Sequence, residues 1–162
     1  MAVNTWPTSR LGLVLTKIEG RYGQPKPPQL AAPLEMILWE VVAYLADDAQ
    51  RRIAFEALRE QVGLTPQKIL AAPKKLLRDI TRLGGAIAAE ERAERLQTTA
   101  QLALDEFDGD LGTVLRLPAQ KAKKLLMQFP MIGEPGAEKI LLFSGVLPLL
   151  ALESNGVRVL VR

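Results

Sequence analysis

The fold is decided by the stretch Leu125–Arg158, LLMQFPMIGEPGAEKILLFSGVLPLLALESNGVR. An apolar helical segment ends at Phe129-Pro130. Met131-Ile132-Gly133 make a tight turn, and a second helix begins near Gly136-Ala137 and carries Ile140, Leu141 and Leu142. After a Gly145…Pro148 loop comes Leu150-Ala151-Leu152-Glu153-Ser154-Asn155, which puts an acid at the mouth of another helix. Two helices joined this sharply form a helix–hairpin–helix. The turn leaves backbone N–H groups free at the start of the second helix, and such a terminus carries partial positive charge that attracts anions, phosphate above all. Contacts of this kind hold a DNA backbone without reading its sequence.

Composition sets the limits around that stretch. The chain has 162 residues, the length of one ordinary domain, and is 48% hydrophobic and 24% charged, so it is expected to fold around a packed core. Aromatics make up only 5%, and Ala and Leu dominate over β-branched residues, which favours an all-α fold. The net charge of +3 and a pI near 9.3 are compatible with nucleic acid and equally with a solvated surface. There is no Cys and no His. That removes disulfides, thiolate or imidazole metal sites, Cys-ligated iron–sulfur clusters, and Cys/His or Ser/His catalysis. No apolar run of about eighteen residues and no signal peptide is visible, so the expected compartment is the cytoplasm and no membrane is involved.

Upstream of the hairpin, periodicity and punctuation predict eight to ten short helices. Ser9 to Tyr22 spaces Leu11, Val14, Leu15 and Ile18 as an amphipathic helix, and Gln24-Pro25-Lys26-Pro27-Pro28 makes a stiff connector. Residues 1–32 therefore read as an N-terminal helix packed on the domain, or as a surface arm, and residues 33–162 as the domain proper. Pro33 opens a helix with Leu34, Ile37, Leu38, Val41, Val42 and Leu45 on one face. Asp47-Asp48 caps the next, Thr65-Pro66 and Pro73 start two more, and Gly84-Gly85 breaks the second of these. The longest helix runs from about Ala88 to Phe107, with Ala89, Ala93, Leu96, Ala100, Ala103, Leu104 and Phe107 as its buried stripe. Leu111–Leu115 is a short helical piece, and Pro118 begins the helix that leads into the hairpin. The acids Glu90, Glu91, Glu94, Asp105, Glu106, Asp108 and Asp110 read as solvated faces and turn caps.

The pattern Phe129-Pro130-x-Ile132-Gly133-x-x-x-Ala137-x-x-Ile140, with an acid about twenty positions on, resembles the helix–hairpin–helix/Gly-Pro-Asp DNA glycosylases, the superfamily of endonuclease III. The resemblance runs from roughly Pro33 to the C-terminus and implies a helical barrel that binds double-stranded, damaged DNA across the hairpin face. It implies DNA contacts at Met131, Ile132, Gly133, Glu134 and Gly136, with Lys124, Lys139 and Arg158 beside them, and a monovalent cation on the backbone carbonyls of Met131 and Gly133. Gly133 is expected where the turn needs a residue without Cβ, and Met131 stands where the family usually has another glycine. The resemblance places the family's catalytic Asp at Glu153, a carboxylate suited to stabilising the positive charge that develops when a base is removed. The other reading of Glu153 is an acid interacting with a helix dipole.

Where bifunctional members carry a Schiff-base lysine, this chain has Pro135. Lyase chemistry is therefore not expected, and Lys139 is expected to meet phosphate or solvent. Tyr44 and Leu45 occupy the place from which the family fills the gap left by a flipped base; the other reading is core packing of Leu45. Helices that follow the acid in the family have no counterpart before the apolar Val157–Arg162 end, which reads either as a shortened form or as a surface for a second copy. The function implied is base-excision repair by a monofunctional N-glycosylase, with a non-catalytic DNA-binding module or a helical interaction domain as alternatives.

Overall fold

The computed structural model describes residues 9–24, 30, 32–148, 151 and 154–161. Among them there is no strand. The order is α1 (Arg10–Tyr22), α2 (Pro33–Val42), α3 (Asp48–Gln61), α4 (Pro66–Ala71), α5 (Lys74–Leu83), α6 (Ala89–Phe107), a 3-10 segment (Leu111–Arg116), α7 (Ala119–Leu126), α8 (Glu134–Phe143) and α9 (Ser154–Val161).

The helix starts follow local chemistry. Asp47 accepts the Gln50 N–H at 2.8 Å and caps α3. Pro33 and Pro66 sit in first turns, where a missing N–H costs nothing. Asp108 (φ 50) and Gly109 (φ 81) turn left-handed and end α6.

α2 is the centre of the core. Ile37, Leu38, Val41 and Val42 are fully buried, each worth roughly 1.5–3 kcal/mol of transfer free energy. It packs against α3, α6, α8 and the 3-10 segment, while α6 also lies against α4 and α5. Of the expected stripe of α6, Ala89, Ala93, Leu96, Ala100 and Ala103 are buried, while Leu104 and Phe107 are half-buried.

One expectation changes, and others are sharpened. α2 stops at Val42 rather than running through Leu45, because Ala43 is extended (φ −139) and Leu45 is left-handed (φ 50). Leu45 is therefore not a core residue: it is 78% exposed. Leu111–Arg116 winds as a 3-10 helix. α1 leaves Leu11, Leu13, Val14 and Ile18 exposed, and Gly12 is its buried residue.

Candidate nucleic-acid interface

The hairpin is a polar opening mounted on apolar anchors. Its turn closes through Ile132 N–H donating to the Phe129 carbonyl at 3.1 Å. Pro130 at the second position and a left-handed third residue, Met131 (φ 63), give it a type II character. Phe129 and Ile132 are buried, and Phe129 stacks on Phe107 with centroids 5.8 Å apart. From α8, Ala137 and Ile140 reach the same core. The turn is thus held from the inside by side chains.

The position that needs glycine is not the one expected. Gly133 is extended (φ −85, ψ −176), and a Cβ there would meet nothing closer than Pro135 Cδ at 3.9 Å. The steric demand falls on Met131, an L-residue in the left-handed region, at a cost of roughly 1–2 kcal/mol. Gly133 caps α8 without a side-chain hydrogen bond, and Pro135 has no N–H. Among the described residues, the amides of Gly133, Glu134 and Gly136 donate to no protein acceptor. An uncapped helix start with open space above its glycine can admit an anion to the backbone.

The charges around it are partly committed. Lys123 Nζ on α7 lies 2.6 Å from Glu134 Oε1 and 3.3 Å from Glu138 Oε1 on α8, stapling the two helices. The hydrogen bond from Lys123 holds the Glu134 carboxyl below the usual carboxylate range, and the hydrogen bonds to Glu134 and then Glu138 raise Lys123. The Glu134 side chain is therefore occupied by Lys123, leaving its amide as the group open to a phosphate. Lys139 is paired as well as partly solvated: its Nζ sits 2.6 Å from Glu40 Oε1 on α2, and its side chain stays partly exposed. Glu40 also pairs with Arg51 of α3 at 3.1 Å, and this carboxylate joins α2, α3 and α8. Among the described residues Lys121, Lys124 and Arg158 have no ion pair, and all three are exposed.

The second element is the loop after α2. Tyr44 and Leu45 are both exposed, Leu45 the more so. Trp39 instead packs edge-on against Phe55 with centroids 5.3 Å apart, under Arg51. The loop backs onto the α5–α6 turn: Tyr44 N–H points to the Gly84 carbonyl at 3.4 Å. That turn carries Ile87, 55% exposed. A Cβ on Gly84 would lie 2.7 Å from the Val42 carbonyl and 2.8 Å from Ala43 Cβ, so here glycine is required.

Beneath both loops lies a residue that sequence reasoning missed. Arg92 of α6 is fully buried and donates to the carbonyls of Val42 (2.8 Å), Gly84 (3.0 Å), Gly85 and Ala88 (3.4 Å). Burial lowers its pKa from the usual arginine value, yet arginine starts so high that it stays charged. One signal was available: positions 89, 93, 96, 100 and 103 define an inward stripe, and helical spacing puts Arg92 beside it.

Glu153 lies outside the described residues; α9 begins directly after it. α9 leaves Val157, Val159 and Val161 exposed. Among the described residues no group of three acidic side chains could hold a metal ion, and no helix is long and apolar enough to cross a membrane.

No known family model matches this sequence, and no curated protein matches it. Solved structures do match by shape. A trapped endonuclease III–DNA covalent intermediate, an estranged-adenine complex, superposes with a TM-score of 0.71 at 18% identity, over 93% of this chain and 66% of that one. A non-covalent endonuclease III–DNA complex gives 0.72 at 18%, over 93% and 65%. A thermostable thymine-DNA glycosylase gives 0.72 at 16%, over 93% and 64%. The chain thus spans about two thirds of the length of these proteins. Together with the hairpin geometry, the likeness establishes that this chain has the all-helical fold shared by endonuclease III and that glycosylase.

Proposed function

We propose that this protein binds damaged duplex DNA in base-excision repair, with the hairpin as its phosphate anchor. The observation that carries the reading is the uncapped start of α8. Its amides at Gly133, Glu134 and Gly136 have no acceptor among the described residues, and the fold makes no steric demand for glycine at 133. A glycine that the chain itself does not need suits a backbone approached closely by something else. Lys124 and Lys121 add exposed positive charge on α7, and Arg158 adds more on α9. The Met131 carbonyl accepts no hydrogen bond among the described residues, whereas Gly133 already accepts the Ala137 N–H at 2.9 Å. These are the two oxygens to which the reading assigns a monovalent cation. Leu45, with Tyr44 next to it in the chain, is the apolar tip that fills the gap left by an extruded base.

The test is Gly133→Ala. The variant should melt within about 0.5 kcal/mol of the wild type and bind an abasic-site duplex at least about tenfold more weakly, a loss of roughly 1.4 kcal/mol. Equal binding by variant and wild type would remove the hairpin from the interface. The absence of any wild-type gel shift at low salt would end the DNA reading altogether.

The chemical step extends this reading: hydrolysis of the N-glycosidic bond with Glu153 as the acid, and no Schiff base. The second half rests on Pro135, which has no nucleophile, and on Lys139, whose amine is held by Glu40. Base release from a panel of uracil-, oxidised- and alkylated-base duplexes should vanish in Glu153→Gln, and borohydride should trap no adduct. A second reading, a non-catalytic DNA-binding module, is favoured by Glu153 itself, which stands where the family carries an aspartate. Binding to abasic duplex without base release from the panel would select it.

A further inference from the structure

Arg92 has unusual company. Its guanidinium is fully buried, and the four acceptors it meets are all main-chain carbonyls. A buried cation with no carboxylate hydrogen-bonded to it is costly, and the through-space attraction of Glu91 is smaller than the repulsion from Arg51 and Arg95. Part of that cost is offset because Val42, Gly84 and Gly85 lie at the C-terminal ends of α2 and α5, where helix dipoles favour positive charge. An apolar side chain could fill the same volume without burying a charge, but it would leave the Val42 and Gly85 carbonyls without a donor. What it could not do is grip two loops at once. Val42 opens the Ala43–Asp47 loop, and Gly84, Gly85 and Ala88 make the α5–α6 turn. The planar fork of arginine has five donors at fixed angles, so it sets the spacing between the two strictly. Three residues around it, Leu45 (φ 50), Gly85 (φ 110) and Ala88 (φ 52), are left-handed. Such conformations persist where the surroundings over-determine them.

We infer that Arg92 is a positioning residue for base extrusion: it holds the end of α2, from which the Leu45 loop departs, against the α5–α6 turn. The inference rests on the DNA reading above. Arg92 touches no DNA itself and acts through Leu45. Substitution should therefore leave the hairpin's grip on the backbone intact and slow only the step in which a base leaves the stack.

Two duplexes separate those effects. The first carries a 2-aminopurine·thymine pair, whose fluorescence rises on unstacking and is followed by stopped flow. The second carries a tetrahydrofuran abasic site, where there is no base to extrude, and reports Kd. A misplacement of about one ångström can cost on the order of a hundredfold in a positioned event. Arg92→Lys should then slow the fluorescence rise about tenfold or more while changing abasic-site affinity by less than about threefold. In a Leu45→Ala background the same substitution should produce no further slowing, because the element it positions is gone. Gly84→Ala, which pushes on Val42 and Ala43 without removing a donor, should reproduce the defect. Arg92→Gln, a neutral side chain that keeps two amide donors for the same carbonyls, carries the same test if the lysine variant fails to fold. Wild-type extrusion kinetics in a folded variant, or slowing that adds to that of Leu45→Ala, overturns the inference and leaves the DNA reading standing. Failure of the wild type to bind either duplex ends both.

Discussion

The α7–α8 hairpin and the loop after α2 look alike in outline and are built in opposite ways. Both are short, and both force an L-residue left-handed, Met131 in one and Leu45 in the other. The hairpin is pinned from inside by apolar side chains, Phe129 and Ile132, and opens polar backbone to solvent. The loop is pinned at its start by the polar clamp of Arg92 on the Val42 carbonyl, and opens an apolar side chain to solvent. A backbone amide suits a phosphate; an exposed leucine suits the inside of a base stack. The glycines divide along the same line. Gly84 is demanded by the fold, and Gly133 is not.

The largest effect expected from breaking this pattern is at the clamp. Arg92→Ala strands the carbonyls of Val42 and Gly85 and half-strands that of Gly84, which keeps the Tyr44 N–H. Each buried unsatisfied group costs about 1–3 kcal/mol, so the variant should lose roughly 3 kcal/mol or more. At about 2–4 °C per kcal/mol for a chain of this size, Tm should fall by roughly 6 °C or more. A drop below about 2 °C would show that water replaces the guanidinium at little cost.

Leu45→Ala sharpens the contrast from the other side. Were Leu45 part of the core, truncation would cost about 2–5 kcal/mol. At 78% exposure it should cost less than about 0.5 kcal/mol. The position also shows where sequence reading stops. Leu45 falls in phase with Leu34, Ile37, Leu38, Val41 and Val42, so periodicity alone buries it. What takes it out is the end of α2 at Val42, which depends on contacts from Gly84, forty residues away in sequence. The long helix, the proline-led starts and the hairpin were legible because local chemistry decides them. The clamp, the Glu40–Lys139 pair and the exposure of Leu45 were not, because each needs a partner supplied by the tertiary fold. Lys139 reads as a surface charge until α2 places Glu40 beside it.

At the hairpin the informative change is Met131→Gly. Relieving the left-handed methionine gains up to roughly 1–2 kcal/mol, less what the more flexible glycine costs in the unfolded chain. A net stabilisation of about 0.5–1 kcal/mol is expected by thermal or denaturant melting. No gain would mean that the methionine side chain, 38% exposed, contributes packing that offsets its backbone strain.

The smallest effect concerns the Lys123 staple. The folded pKa of Glu134 is depressed, so its contribution is complete above the unfolded carboxylate pKa of about 4.3 and is lost as pH falls through the lower folded value. Lys123 is raised, so its contribution is complete below about 10.4 and is lost as pH rises through the higher folded value. Between those limits the staple is intact. Glu134 is largely solvated, so the bridge should be weak and fade in high salt. The difference in Tm between the wild type and Glu134→Gln should therefore be small and constant from about pH 5 to pH 9, and should shrink towards zero below about pH 4. The same substitution removes a negative charge from the start of α8, next to the open amides. If the hairpin holds phosphate there, Glu134→Gln should bind duplex DNA slightly more tightly at low salt even as the staple is lost. A hairpin that is only a structural corner would show the first change without the second.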